Sequence, residues 1–165
     1  MSLDERFESE VMPHARSLYG TALRLTRSPQ DAEDLLQETL LRAYRGFASY
    51  RPGTNVRAWL FTILHRVRTD MLRKRGRSPQ TTELTDDGPA VVPEHETRLT
   101  SGNEDVQRAL AAVPEVFRSA LVLRDIEEFS YEEIAGILGV PVGTVMSRIH
   151  RGRAHLRRLL AGRTP

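Results

Sequence analysis

Apolar residues recur every three or four positions along several stretches of the chain, which is the spacing of one face of an α-helix. The clearest stretch begins at Ser28-Pro29-Gln30-Asp31, where a serine, a proline and a carboxylate form a typical helix start. Its apolar face comprises Ala32, Leu35, Leu36, Leu40, Ala43 and Phe47. An earlier helix can begin at Pro13 and run through residues 14–26. No stretch alternates convincingly with the period of a β-strand, so the pattern predicts an all-α fold.

Pro52 and Gly53 interrupt the pattern before a further helix with two different faces. The first face is apolar and comprises Val56, Trp59, Leu60, Ile63, Leu64, Val67 and Met71. The second is polar or basic and comprises Thr62, His65, Arg66, Thr69 and Arg73. This distribution predicts a helix that packs on one side, with Trp59 in the core, and offers positive charge on the other.

The periodicity stops after Gly76 and returns at about Glu104. Proline, glycine, threonine and aspartate are frequent in between, and we interpret residues 77–103 as a flexible linker. A flexible segment of this length spans roughly 30 Å between its ends, and on the order of 90 Å when fully extended. The sequence therefore predicts two small helical domains, residues 1–76 and 104–165.

The second domain ends in a short helix, a turn and a longer basic helix. Ser130-Tyr131-Glu132-Glu133 is a capping box, Gly139 suits the turn, and Pro141 suits the first position of the next helix. Helical periodicity also covers residues 104–113 and restarts at Pro114. In the last helix the predicted buried residues are Val145, Ile149, Leu156 and Leu160. This arrangement is a helix-turn-helix, whose second helix can enter the major groove of DNA.

Charge strengthens the prediction of a nucleic-acid partner. The net charge is only +2, but half of the 24 basic residues lie within residues 66–77 and 148–163, and these clusters create local positive fields. The chain has no cysteine and no long apolar run, which favours a cytoplasmic protein that does not insert into a membrane. The histidines have no metal-ligand spacing, and no nucleophile stands beside paired carboxylates or a phosphate-binding loop. We therefore expect no metal, no cofactor and no enzymatic activity.

Three stretches resemble one protein family. "SYEEIAGILGVPVGTVMSRIHRGRAHLRRLL" resembles the region 4 helix-turn-helix of extracytoplasmic-function (ECF) sigma factors, group 4 of the sigma-70 family. "DAEDLLQETLLRAYRGF" and "VRAWLFTILHRVRTDMLRKR" resemble region 2 of the same family. The resemblance implies that the chain binds core RNA polymerase and directs transcription initiation, for example in a stress response, by recognising the −10 and −35 promoter elements.

The resemblance also implies roles for individual residues. Region 2 would bind the coiled coil of the largest polymerase subunit through Asp34, Gln37, Glu38 and Leu41. It would bind the −10 element through Arg57, His65, Arg66, Thr69 and Arg73. Region 4 would bind the polymerase flap, and the −35 element through Arg124, Ser147, Arg148, His150, Arg151 and Arg153. Arg66 and Met146 depart from common family patterns, so the promoter sequence stays open.

Two further expectations follow from the resemblance. Promoter elements some two dozen base pairs apart are separated by roughly 80 Å at about 3.4 Å per step, which the linker would help to bridge. An anti-sigma factor would hold the protein inactive by covering its polymerase-binding faces. The alternative is a free-standing helix-turn-helix regulator that does not bind core polymerase, and binding to the core enzyme distinguishes the two.

Overall fold

The computed structural model describes residues 1–76 and 104–161, and all regular elements within these ranges are helical. They form two small helical domains, as the apolar periodicity predicts. The predicted linker, residues 77–103, lies outside the described residues.

Four α-helices form the N-terminal domain: α1 (Leu3–Glu10), α2 (Ala15–Thr26), α3 (Pro29–Gly46) and α4 (Val56–Lys74). Pro13 lies in a 3-10 turn, Met12–His14, so α2 begins two residues later than the sequence suggests. Helix α3 packs against both α2 and α4. Helix α1 was not predicted, although its Ser2–Glu5 capping box has the same S-x-x-E pattern as Ser130–Glu133.

An aromatic cluster closes one end of this domain. Trp59 is half-buried and its ring lies 4.9 Å from that of Tyr50 and 6.4 Å from that of Phe47. Phe7 of α1 contacts the same cluster, with its ring 5.5 Å from Phe47. Trp59 is thus a packing residue, and α1 is attached to the domain through Phe7.

The C-terminal domain consists of α5 (Glu104–Ala112), α6 (Glu115–Leu121), α7 (Tyr131–Leu138) and α8 (Val142–Ala161). A π-helical turn, Val122–Ile126, continues α6. Ser130 and Glu133 make both hydrogen bonds of the capping box, and Gly139 has the left-handed φ of 68° that the turn between α7 and α8 requires. The predicted helix-turn-helix is therefore present.

The buried side of α8 differs from the prediction beyond its second turn. Val145 and Ile149 are buried, but Leu156 and Leu160 are only half-buried. At Gly152 an added Cβ would lie 2.9 Å from Leu121, so the backbones of α8 and α6 approach closely there. His155 follows one turn later, is buried, and stacks on Phe117 with ring centroids 5.6 Å apart. The His155 imidazole therefore fills part of the core in which Leu156 and Leu160 were expected.

The two domains pack directly against each other, with α4 against α7 and α2 against α5 and α6. Arg118 of α6 is 2% exposed, and its Nη2 donates to the Leu25 carbonyl oxygen of α2 at 2.9 Å. Its Nη1 donates to the carbonyl oxygens of Val113 at 2.6 Å and Ala111 at 3.2 Å. Helical periodicity alone did not indicate this contact, since it reports a buried face but not the partner that covers it.

Candidate nucleic-acid interface

Helix α8 presents an open polar face near its N-terminal end. Ser147, His150 and Arg151 are exposed, and Met146 beside them is 52% exposed. Spacings of three and four residues place Ser147, His150 and Arg151 on one side of the helix. A guanidinium on such a face can donate two hydrogen bonds to guanine O6 and N7, so the geometry suits reading of the major groove.

The other three residues expected to contact the −35 element are engaged within the protein. Arg148 is buried. Arg124 donates from Nη1 to the Phe129 carbonyl oxygen at 2.9 Å and lies over the Tyr131 ring, 4.7 Å from its centroid. Arg153 forms a bidentate pair with Asp125, at 2.6 and 3.2 Å. In this arrangement Arg124 and Arg153 stabilise the helix-turn-helix, because both bind groups of their own domain.

The basic face of α4 is divided. Arg66 and Arg73 are exposed at the surface, whereas His65 and Thr69 are half-buried. The pKa of His65 is lowered to about 4, mainly by burial and also by Arg148, while Glu115 opposes the shift. His65 is therefore neutral at physiological pH, and the positive charge of this face comes from arginine.

Arg57 and Arg68, also on α4, point towards the C-terminal domain. Arg57 Nη2 donates to the Glu127 Oε1 at 2.7 Å. Arg68 makes two parallel bonds to the carboxylate of Glu115, at 2.7 and 2.9 Å, and is itself buried. Arg57 was expected to contact DNA, whereas Arg68 was only counted within a basic cluster. Helical spacing places Arg68 and Arg66 on different sides of α4, but it does not predict the carboxylate that the fold places opposite Arg68.

The four residues expected to bind polymerase lie on a common face of α3. Asp34, Gln37 and Leu41 are exposed, and Leu41 exposes 43% of its surface. Glu38 is half-buried and accepts a hydrogen bond from Arg42 at 3.1 Å. This face, acidic at Asp34 and Glu38 and apolar at Leu41, has the composition of a protein-binding surface.

The sequence interpretation missed Tyr44, one turn beyond Leu41. Tyr44 is 47% exposed, and its hydroxyl donates to the Asp4 carboxylate of α1 at 2.7 Å. This hydrogen bond raises the pKa of Tyr44. An exposed aromatic residue spaced three positions from Leu41 was the available signal, and it extends the apolar part of the α3 face.

Two negative findings concern the residues described. Within residues 1–76 and 104–161, no three histidine or acidic side chains are grouped closely enough to hold a metal ion. Over the same ranges, none of the helices combines the length and apolar character needed to cross a bilayer.

Comparison with known proteins assigns both halves of the chain. Residues 11–78 match the family Sigma-70 region 2, and residues 103–156 match Sigma-70, region 4. The ECF RNA polymerase sigma factor SigE of Mycolicibacterium smegmatis is 46% identical over 158 residues, which cover 92% of this chain and 60% of that protein. EcfG of Rhodopseudomonas palustris, another ECF sigma factor, is 37% identical over 97% of this chain and 88% of its own length.

Two solved structures share the fold over nearly the whole chain. The sigma factor RpoE of Bartonella quintana, in complex with the anti-sigma factor NepR, superposes with a TM-score of 0.76 at 34% identity, covering 96% of this chain and 98% of RpoE. CnrH, in complex with the cytosolic domain of CnrY, gives a TM-score of 0.68 at 26% identity, covering 98% of this chain and 91% of CnrH.

Proposed function

This chain belongs to the ECF family of RNA polymerase sigma factors, and from that premise we propose that its two domains bind different promoter elements. Residues 1–76 bind core polymerase and the −10 element, and residues 104–165 bind the −35 element. Residues 77–103 connect them. The protein catalyses no reaction and directs the polymerase to promoters.

The observation that carries the −35 assignment is the open face of α8. Ser147, His150 and Arg151 are exposed together on the second helix of a helix-turn-helix, where base edges can be reached. Arg157 and Arg158 are exposed further along the helix and suit the phosphate backbone. Arg124, Arg148 and Arg153 then contact DNA only after leaving their present contacts.

In the N-terminal domain, α4 and α3 take different partners. The exposed guanidinium groups of Arg66 and Arg73 attract DNA at the −10 element, with Arg57, His65 and Thr69 on adjoining positions of α4. Asp34, Gln37, Glu38 and Leu41 on α3 bind the coiled coil of the largest polymerase subunit, and the C-terminal domain binds the flap. Opposite charges on the two helices keep these partners apart.

An anti-sigma factor is the proposed regulator. RpoE and CnrH, both similar to this chain over almost its full length, form complexes with NepR and with CnrY, respectively. The exposed apolar residues Leu41 and Tyr44 on α3 would be attractive to such a partner. Its binding there would exclude core polymerase from the same surface.

Run-off transcription tests this function directly. Core polymerase plus this protein should give new RNA starts on a genomic template library, and the absence of any protein-dependent start would refute the proposal. Binding to core enzyme separates it from the free-standing regulator, which would bind an operator without polymerase.

Charge reversal on α3 locates the polymerase contact. The double change Asp34→Arg with Glu38→Arg should weaken core binding by roughly 100-fold, because like charges across an interface cost several kcal/mol. The control, Glu8→Arg with Glu132→Arg, makes the same change of charge at exposed positions elsewhere. Equal loss in both variants would contradict the assignment to α3.

A further inference from the structure

A third stripe on α4 faces the C-terminal domain. Arg57, Phe61, Leu64 and Arg68 recur at three- and four-residue intervals, and Phe61 and Leu64 are each 1% exposed. The stripe lies between the core face of α4 and the exposed arginines Arg66 and Arg73, and charged residues stand at both of its ends.

At one end of the stripe, Glu127 is held by three side chains of the N-terminal domain. Its carboxylate accepts hydrogen bonds from Ser17 Oγ at 2.6 Å, Thr21 Oγ1 at 3.3 Å and Arg57 Nη2 at 2.7 Å. Arg57 Nη2 also donates to the Glu127 carbonyl oxygen at 2.8 Å. The Glu127 side chain is 9% exposed and that of Arg57 30%, so the carboxylate is largely withdrawn from water while the guanidinium is partly exposed.

The rest of the interface continues along α4. Phe129 packs on Phe61 with ring centroids 5.1 Å apart, and the Arg57 guanidinium lies 4.2 Å from the centre of the Phe129 ring. At the far end, Glu115 receives the bidentate bonds of Arg68, as described above. The interface thus has an apolar centre and a carboxylate–arginine pair at each end.

The backbone around Glu127 is shaped for this contact. The π-helical turn Val122–Ile126 precedes it, and Glu128 follows with a φ of 62°, a left-handed conformation that is strained for a residue other than glycine. π-Helical turns and strained residues occur preferentially at functional sites. Both features direct Glu127 and Phe129 of one short segment onto α4.

We propose that this face of the C-terminal domain, formed by Glu115, Glu127 and Phe129, is an intramolecular mask that competes with −10 DNA for α4. The inference rests on the proposed function of α4. Arg57 cannot bind a phosphate while it is paired with Glu127. The C-terminal domain also leaves only a cleft of about 310 Å³ between α4 and the α7–α8 turn, lined by Arg66 and Arg73.

The spacing of promoter elements leads to the same conclusion. Elements roughly 80 Å apart cannot be bound by two domains whose DNA-binding units, α4 and the α7–α8 pair, are in direct contact. The closed arrangement therefore opposes promoter binding without any second protein, and the domains separate before both elements are read.

Energy transfer between two dyes measures the opening of the intact chain. The absence of cysteine allows site-specific labelling through Ala48→Cys, which is exposed, and Gly143→Cys, where an added Cβ meets nothing within 4 Å. Glu115→Gln with Glu127→Gln should lower the transfer efficiency. Glu8→Gln with Glu132→Gln removes the same charge at exposed positions that make none of these contacts, and should leave the efficiency unchanged. Equal efficiency in both variants would overturn the proposal.

Binding of a fluorescein-labelled, 20-nucleotide single-stranded DNA of random sequence tests the competition. The opened variant should bind about tenfold more tightly than the charge-matched control, as expected if the closed form makes up about 90% of the protein. An opened variant that binds DNA no better than the control would also overturn the proposal.

A cross-linked form provides a second test that does not depend on loss of the carboxylates. Asn55 Nδ2 donates to Glu133 Oε2 at 2.7 Å across the interface. Linking Asn55→Cys to Glu133→Cys with a cleavable bismaleimide should weaken DNA binding by at least about tenfold, because it removes the remaining open fraction, with recovery on cleavage. Unchanged binding would refute the mask. Failure of the proposed function has a different signature, namely no binding to core polymerase by wild type or opened variant despite a normal change in energy transfer.

Discussion

Helices α4 and α8 are both rich in arginine, yet they use it differently. On α8, Arg148 is buried and Arg153 pairs with Asp125 of its own domain. The other arginines of this helix, Arg151, Arg157 and Arg158, are exposed, and the face that can enter a DNA groove is open. On α4, Arg66 and Arg73 are exposed while Arg57 and Arg68 are paired with carboxylates of the other domain. The contrast shows that a basic helix is a DNA-binding surface only where the fold leaves its guanidinium groups accessible.

The pairing on α4 is selective. Arg66 and Arg68 are two residues apart and so lie on different sides of the helix. Glu115 lies opposite Arg68, and Asp70 lies 3.6 Å from Arg73 at the surface. The exposed Arg73–Asp70 pair contributes little to stability. The bidentate Arg68–Glu115 pair has little exposure and forms stronger hydrogen bonds. Arg68 is therefore a structural residue and Arg66 is available to a partner.

The largest expected effect contrasts a buried arginine with an exposed one. Arg118→Met should lower the free energy of unfolding by about 3 kcal/mol, because three carbonyl oxygens lose their buried donor. Arg157→Met, at an exposed position of α8, should change it by less than about 0.5 kcal/mol. Urea denaturation measures both values, and similar losses in the two variants would contradict the distinction. Burial lowers the pKa of Arg118 to about 10, so it stays charged at neutral pH.

The next effect concerns the pH dependence of stability through His65. Its pKa is about 4 in the folded protein and about 6.5 when unfolded, so between these values the unfolded chain binds more protons. Stability therefore falls as the pH drops from 6.5 to 4, by on the order of 2 kcal/mol. Denaturation midpoints of wild type and His65→Gln at several pH values provide the measurement.

Other groups limit the pH range of that comparison. Burial also lowers the pKa of His14, so His14→Gln is measured alongside to remove that contribution. The carboxyl pKa values of Asp31 and Glu133 are lowered by their hydrogen bonds to Arg75 and to Ser130, respectively, so their stabilisation is lost only below their usual range. Between pH 6.5 and 5, a His65→Gln slope equal to that of wild type would show that His65 titrates normally.

The smallest effect separates sequence readout from attraction on α8. Arg151→Ala should weaken binding to a cognate −35 duplex about tenfold, or about 1.4 kcal/mol, and relax the preference at one base pair. Arg158→Ala should weaken binding to cognate and random DNA equally, because it is placed for a phosphate. Competition titrations with both duplexes give the ratio of the affinities for cognate and random DNA. If Arg151→Ala leaves this ratio unaltered, Arg151 does not contact a base edge.

The helices and the capping signals could be predicted because they depend on local chemistry. The apolar spacing of α3, the capping box at Ser130 and the left-handed turn at Gly139 are each specified within a few residues. The faces of α3 and α8 that carry Asp34 and Arg151 follow from the same spacing. Accessibility could not be predicted in this way, and Arg148, expected on the DNA-binding face, is buried.

The sequence by itself determined that the chain forms two helical domains, where α3 and α7 begin, and which residues carry the charge. Only the tertiary structure decided which charges are used, because Glu115 and Glu127 lie 47 and 70 residues from the arginines that they pair with. Local propensities act over a few residues, whereas ion pairing and burial depend on which surfaces meet in space.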